Sequence, residues 1–354
     1  MPRLAGPICG AAASPRRSIG RRPVWARLAA LSLALLAAST GCSGSTRTPT
    51  TNAPAAGSRA AAAPGGGRAL FGAFLGSDET GVARIPEFEQ FLGGVRTRVG
   101  HTYLAGDDWS GVDGLDRILD PWARWRAERP GDLFVLNVPM ATPNEADLDD
   151  GQVAALLAQG AQGAFDQHYA TLANRLVARG LGDAVIIPGW EMNGTTYSHR
   201  CAPDPESWKR YFRRVVATMR AVPGQSFRFD FNPSRGTDAI SWQVCYPGDE
   251  VVDIIGMDSY DQPPGASFQD YVRQPDGLQA QVDFAREHGK PVSYPEWGLF
   301  KFGDNPQFIE DMLRWIASQD TVYSTFTDYC PHGVFECPDN PRSAQRLRQL
   351  IGGR

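Results

Sequence analysis

Residues 185–194 read Val-Ile-Ile-Pro-Gly-Trp-Glu-Met-Asn-Gly, VIIPGWEMNG. Three branched apolar residues fit a buried strand, and Pro188-Gly189 punctuates its end. Directly after the break comes a carboxylate, Glu191, beside an indole (Trp190) and near an amide (Asn193). A buried strand interior has no use for an unpaired charge. A carboxylate at a strand's end, among side chains able to bind a ligand, has one.

Working outward from this segment, the same short apolar run recurs at 69–75, 95–104, 133–138, 227–231, 251–256, 291–294 and 321–327, which with 184–187 makes eight. Amphipathic stretches separate them. Phe165, Tyr169, Leu172 and Leu176 fall at helical spacing, as do Trp208, Phe212, Val215 and Met219 behind Asp204-Pro205, an N-cap followed by proline at the first helical position. Eight strands alternating with helices predict an α/β fold, a (β/α)₈ TIM barrel forming a single catalytic domain over 68–354. A doubly wound open sheet would show a Gly-rich phosphate turn after an early strand, and FLGSDETG is not one.

In such a barrel the chemistry collects where strands end. The fourth run ends in Trp190-Glu191, the fifth in Asn232, the sixth in Met257-Asp258-Ser259-Tyr260-Asp261, and the seventh in Glu296-Trp297. Carboxylates, aromatic rings and amides gathered at one end are what a sugar site needs. Glycoside hydrolysis requires two carboxyl groups flanking one bond. Glu191 and Glu296 are the best pair, at the ends of the fourth and seventh strands, each beside a tryptophan that would desolvate a carboxyl and keep it protonated. His101, ending the second strand, is the histidine placed to touch substrate. Trp109, in GDDWSG, is expected as a platform at the mouth. Asp258 is expected to bind sugar or to brace the sixth-strand loop. Asn232 shares the interior face of the alternating fifth strand with Arg228 and Asp230, read as a buried ion pair. No metal site and no cofactor are expected: the histidines form no metal pattern, and His199-Arg200-Cys201 lacks the usual zinc spacing.

GWEMNG resembles the acid/base motif of glycoside hydrolase family 26, the β-mannanase-like family, which usually reads H-E-M-N-G. The segments GAFDQHYATLANRLVARG, YPGDEVVDIIGMDSYD and GKPVSYPEWG are similar to that family in the same order, and the resemblance spans roughly residues 71–329. It implies a retaining (β/α)₈ hydrolase with Glu191 as acid/base and Glu296 as nucleophile. It also implies that Tyr260 orients the nucleophile and that Asn193 and Trp297 line the sugar site. Trp190 stands where the family has histidine, at a position that shapes the sugar pocket. The reading is a glycosidase acting on a polysaccharide or oligosaccharide, a β-mannan among the candidates. Two alternatives are a sugar-binding protein on a barrel without catalysis, and a hydrolase of the organism's own envelope glycans (arabinan, mannan or glucan).

Residues 1–42 hold six arginines and no Asp, Glu or Lys, then an eleven-residue apolar stretch at 28–38 and Ser39-Thr40-Gly41-Cys42. Basic, apolar and small-residue parts in that order read as an export signal, and eleven residues are too few to span a bilayer. Cys42 sits as the lipidated cysteine of a bacterial lipoprotein. The expectation is an exported protein, lipid-anchored on the outer face of the membrane and monomeric. Residues 43–67, rich in Ala, Gly, Ser, Thr and Pro, read as a flexible tether. Losing six arginines takes Lys+Arg from 35 to 29 against 39 acids, so the net charge moves from −4 to −10, which argues against nucleic acid as a partner. Past the leader, four cysteines allow three pairings. Export favours disulfides, with Cys330–Cys337 as a local loop and Cys201–Cys245 tying the loops after two neighbouring strands.

Overall fold

The computed structural model describes residues 69–353, so the leader, the Cys42 lipidation site and the tether lie outside the described residues. Eight strand positions close into a barrel in which every pairing is parallel. They are β1 (Leu70–Phe74), β2 (Val99–Tyr103), β3 (Leu133–Val138), β4 (Val185–Pro188), β5 (Arg228–Phe231), β6 in two pieces (Ile254–Ile255 and Ser259–Tyr260), β7 (Val292–Gly298) and β8 (Thr321–Thr327). β1 pairs with β8 from Leu70–Tyr323 to Phe74–Thr327. The circle closes elsewhere through β6 and β7, by Ile255–Val292 and Tyr260–Gly298.

The side-chain alternation of the strands builds two cores. Val99, Leu133, Val135, Val185, Ile187, Ile254 and Tyr323 fill the barrel. Phe134, Leu136, Ile186, Phe229 and Phe231 face the helices, where they meet Trp208, Phe212, Val215 and Met219 of the helix Pro205–Arg220. Each such buried side chain contributes about 2 kcal/mol. That helix starts as its sequence predicts, with the Asp204 side chain accepting from Ser207 N and Pro205 in the first turn.

Three details differ from the sequence reading. The sixth strand does not fill 251–256. It is interrupted at Gly256-Met257-Asp258, because the chain there passes over polar side chains: a Cβ on Gly256 would lie 2.6 Å from both Asp230 Oδ1 and Asn232 Oδ1. The seventh strand runs past Tyr294 to Gly298, and its register slips around Pro295, which has no N–H to donate. Asp230 points into the barrel as expected but forms no ion pair with Arg228. It accepts instead from Ser293 Oγ at 2.5 Å and Tyr323 Oη at 2.7 Å, while Arg228, first in its strand, remains half-exposed.

Both expected disulfides are present, so Cys201 is not a metal ligand. Cys201–Cys245 joins the loops after β4 and β5 across 44 residues. Closing a loop of that length in the unfolded chain is worth at most about 4 kcal/mol. Replacing both cysteines with alanine should therefore cost about 2–4 kcal/mol in denaturant unfolding; a variant as stable as the parent would mean that packing alone holds these loops.

Candidate active site

The C-terminal ends of the strands surround a cleft of about 490 Å³. Phe74 lines it from β1, Tyr103 from β2, Asn144 and Glu145 from the loop after β3, and Trp190 and Tyr197 from the segment after β4. Glu296 comes from β7 and Tyr329 from the loop after β8.

Glu191 follows Trp190 of this lining and is half-buried. Two left-handed residues, Gly189 (φ 58°) and Glu191 (φ 50°), turn the chain sharply here. Such a φ costs a non-glycine residue on the order of 1 kcal/mol. The conformation is held by Glu191 N donating to Asn232 O at 2.8 Å and by Ser234 Oγ donating to Glu191 Oε1 at 2.7 Å. Burial pushes the Glu191 carboxyl up to about 7, and the charge of Glu296 adds to that. Glu296 is 9 % exposed. Its Oε2 accepts from Tyr260 Oη at 2.7 Å, which leaves Thr327 Oγ1 to donate to Tyr260 at 2.9 Å. Its Oε1 has no partner. Burial raises this carboxyl too, with the neighbouring Tyr103 and Tyr260 hydroxyls pulling it back down.

The other expected site residues divide. Trp190 lies in the lining, pinned by Nε1 donating to Tyr197 Oη at 2.9 Å and packed edge-on against Tyr103. Tyr260 touches Glu296. Asp258 is buried and accepts from Asn232 Nδ2 at 2.8 Å; burial, then the charges of Glu296 and Glu191, raise it well above the usual carboxylate range. Asp258 and Asn232 thus lie behind the two glutamates.

Four side chains are not where the sequence reading put them. Trp297 is fully buried against Phe326, because it follows Glu296 in a strand and must face the helices when Glu296 faces the barrel. Asn193 is buried and saturated: it donates to the carbonyls of Ser234 and Gly236 and accepts from Ser234 N, so it holds the Ser234 loop rather than a sugar. His101 is fully buried beneath the cleft, its Nε2 bonded to Asn137, and burial lowers it to about 4. Trp109 is stacked on Phe165 and His168 and lies outside the lining.

Sequence reasoning missed Tyr103, Ser234, Asn144, Glu145 and Tyr197. Tyr103 was readable, since it shares a strand face with His101 and stands nearer the mouth. Ser234, in NPSRG, carries no pattern that marks it. His199, neutral because burial lowers it to about 4, donates from Nε2 to Trp190 O and steadies the wall from behind.

Residues 183–287 match the family model described as Glycosyl hydrolase family 26. The segment includes Glu191, Asn193 and Tyr260; Glu296 lies beyond it. Solved structures share the fold. One is a Bacillus subtilis mannanase, 17% identical, covering 79% of this chain and 84% of its own, with TM-score 0.59. A family 26 β-mannanase from Bacteroides ovatus is 15% identical over 81% and 88%, with TM-score 0.60. A Cellulomonas fimi endo-β-1,4-mannanase double mutant is 19% identical over 80% and 70%, with TM-score 0.62. No curated protein matches the sequence.

Burial raises Glu191, Glu296, Asp258 and Asp230 together, Asp230 to about 6. Folded, these groups hold protons that the unfolded chain releases near 3.8–4.5. Their contribution is complete below that range and is lost as pH rises through the folded values, about 6 for Asp230 and about 7 for Glu191. The melting temperature should therefore fall between pH 5 and pH 8. Glu191→Gln should flatten the fall and exceed the parent at pH 8; a parent more stable at pH 8 than at pH 5 would contradict the assignment.

Proposed function

We propose that the protein is a retaining glycoside hydrolase of the family 26 type, with Glu191 as acid/base and Glu296 as nucleophile. The observation that carries the reading is the state of Glu296. One of its oxygens accepts from Tyr260, the other has no hydrogen-bond partner, and its charge helps burial raise a second carboxyl, Glu191, to about 7. Two carboxyls placed this way divide the labour: one keeps its proton, the other gives it up. The family match over residues 183–287 and the fold shared with mannanases support the same chemistry, and a β-mannan-like polysaccharide is the first substrate to try.

In the first step Glu296 Oε1 bonds to the anomeric carbon as the glycosidic C–O bond breaks. Glu191 gives its proton to the departing oxygen, leaving a glycosyl ester on Glu296. In the second, Glu191 takes a proton from water, whose oxygen bonds to the same carbon and expels Glu296. Both residues return to their starting protonation states. The two carboxyls act alone, without a cofactor. Tyr260 holds the nucleophile's other oxygen still, and Ser234 does the same for the acid. We further propose that Cys42 carries a lipid that holds the exported, monomeric enzyme at the outer face of the membrane, with residues 43–67 as the tether.

The test is hydrolysis of a panel of β-mannan, xylan, β-glucan, arabinan and envelope polysaccharide by the full-length protein. Wild type should release product, and Glu296→Ala should lose at least about 10³-fold. Because Glu191 must be protonated to act, the rate should fall as pH rises through about 7, and Glu191→Ala should lack that limb. The acid limb, set by Glu296, should lie above the ordinary 4.5. Product formed by Glu296→Ala at the parental rate would end the assignment.

A further inference from the structure

The cleft has a second wall that takes no part in bond breaking. Its residues are Asp107, from the loop after β2, and Asn144 and Glu145, from the loop after β3. Asn144 is 8 % exposed, and its amide oxygen is buried without a partner. Its backbone is fixed on both sides: Asn144 N donates to Gly106 O, and Ser198 N donates to Asn144 O, each at 2.7 Å. Ser198 Oγ pins the same loop, donating to Pro143 O and accepting from Ala146 N. Gly106 passes so close that a Cβ there would lie 2.5 Å from the Asn144 Cβ. A rigidly placed, buried amide left unpaired is the usual form of a group whose partner arrives with a ligand.

Charge defines the partner. The lining holds three carboxylates, Asp107, Glu145 and Glu296, and no Lys, Arg or His. Beyond Glu145, Arg200 is occupied by Asp150 and by Leu148 O. A carboxylate, sulfate or phosphate on the sugar would meet like charge in this lining, which offers it no cation. Hydroxyl groups suit the same atoms, since an amide both donates and accepts, and carboxylates accept.

We propose that this wall is a sugar-recognition site for an uncharged glycan unit. The Asn144 amide spans two adjacent hydroxyls, Glu145 accepts from another, and acidic sugars are turned away. The proposal rests on the hydrolase reading only for the position of the cleft.

Binding by the full-length Glu296→Gln variant tests it without need of turnover. The probes are β-1,4-linked hexasaccharides of mannose and of glucose, each compared by calorimetry with its C6-carboxylated form. A neutral hexasaccharide should bind, and its carboxylated form at least about tenfold more weakly at low salt, with the gap narrowing as salt screens the charges. Adding Asn144→Ala should weaken neutral binding about tenfold, and adding Glu145→Gln should narrow the gap. If Asn144→Ala does not fold, Asn144→Asp, of the same size, should weaken the neutral ligand and widen the gap. Equal binding of neutral and acidic forms, full affinity in the Asn144 variant, or no binding of either neutral hexasaccharide would overturn the proposal. Wild-type hydrolysis decides the other question separately. Selective binding without turnover would sink only the hydrolase, and turnover without selectivity would sink only the recognition wall.

Discussion

Four carboxyl groups, Glu191, Glu296, Asp258 and Asp230, are gathered at the upper end of the barrel, and none is in an ion pair. Water is largely excluded, so their mutual repulsion is weakly screened, and they cannot all be charged near neutral pH. Much of the surrounding structure answers to that constraint. Hydroxyls from Tyr260, Ser234, Ser293 and Tyr323 and the amide of Asn232 supply hydrogen bonds in place of a cation. Neutral donors stabilise an anion without locking it, as an arginine would. Burial and mutual repulsion raise all four, so protonated and ionised carboxyls stand side by side, as acid–base work requires.

The fold was legible because the barrel's strands are short, apolar and separated by helices with clear starts. The β3 run at 133–138 and the β8 run at 321–327 match their observed strands to the residue. The sixth strand was harder. Its break depends on Asp230 and Asn232, which occupy the space a regular strand would fill, and no local pattern reports a neighbour 24 residues away.

The candidate site was legible in its carboxylates and less so in its aromatic and amide groups. Trp190 and Trp297 look alike in the sequence, each beside a glutamate, yet only Trp190 reaches the cleft. The cause is backbone conformation. Trp297 obeys strand alternation and turns away from Glu296, whereas the left-handed turn at Gly189 and Glu191 suspends alternation and lets Trp190 reach the cleft. Asn193 carries a motif-like position but spends every hydrogen bond on the Ser234 loop. Whether an amide faces a ligand or its own chain depends on where a distant loop passes, and one sequence does not contain that.

The Cys201–Cys245 bridge fastens together the loops after β4 and β5, the same two that carry Glu191 and Ser234. The loops after β2 and β3 are tied to the same frame: Gly106 bonds Asn144, and Ser198 and Arg200, in the loop that carries Glu191 and Cys201, bond Pro143, Asn144, Ala146 and Leu148. The bridge lies outside the wall formed by Asp107, Asn144 and Glu145. The rim is therefore one coupled frame. Exchanging the β3 loop would also disturb the loop that positions Glu191.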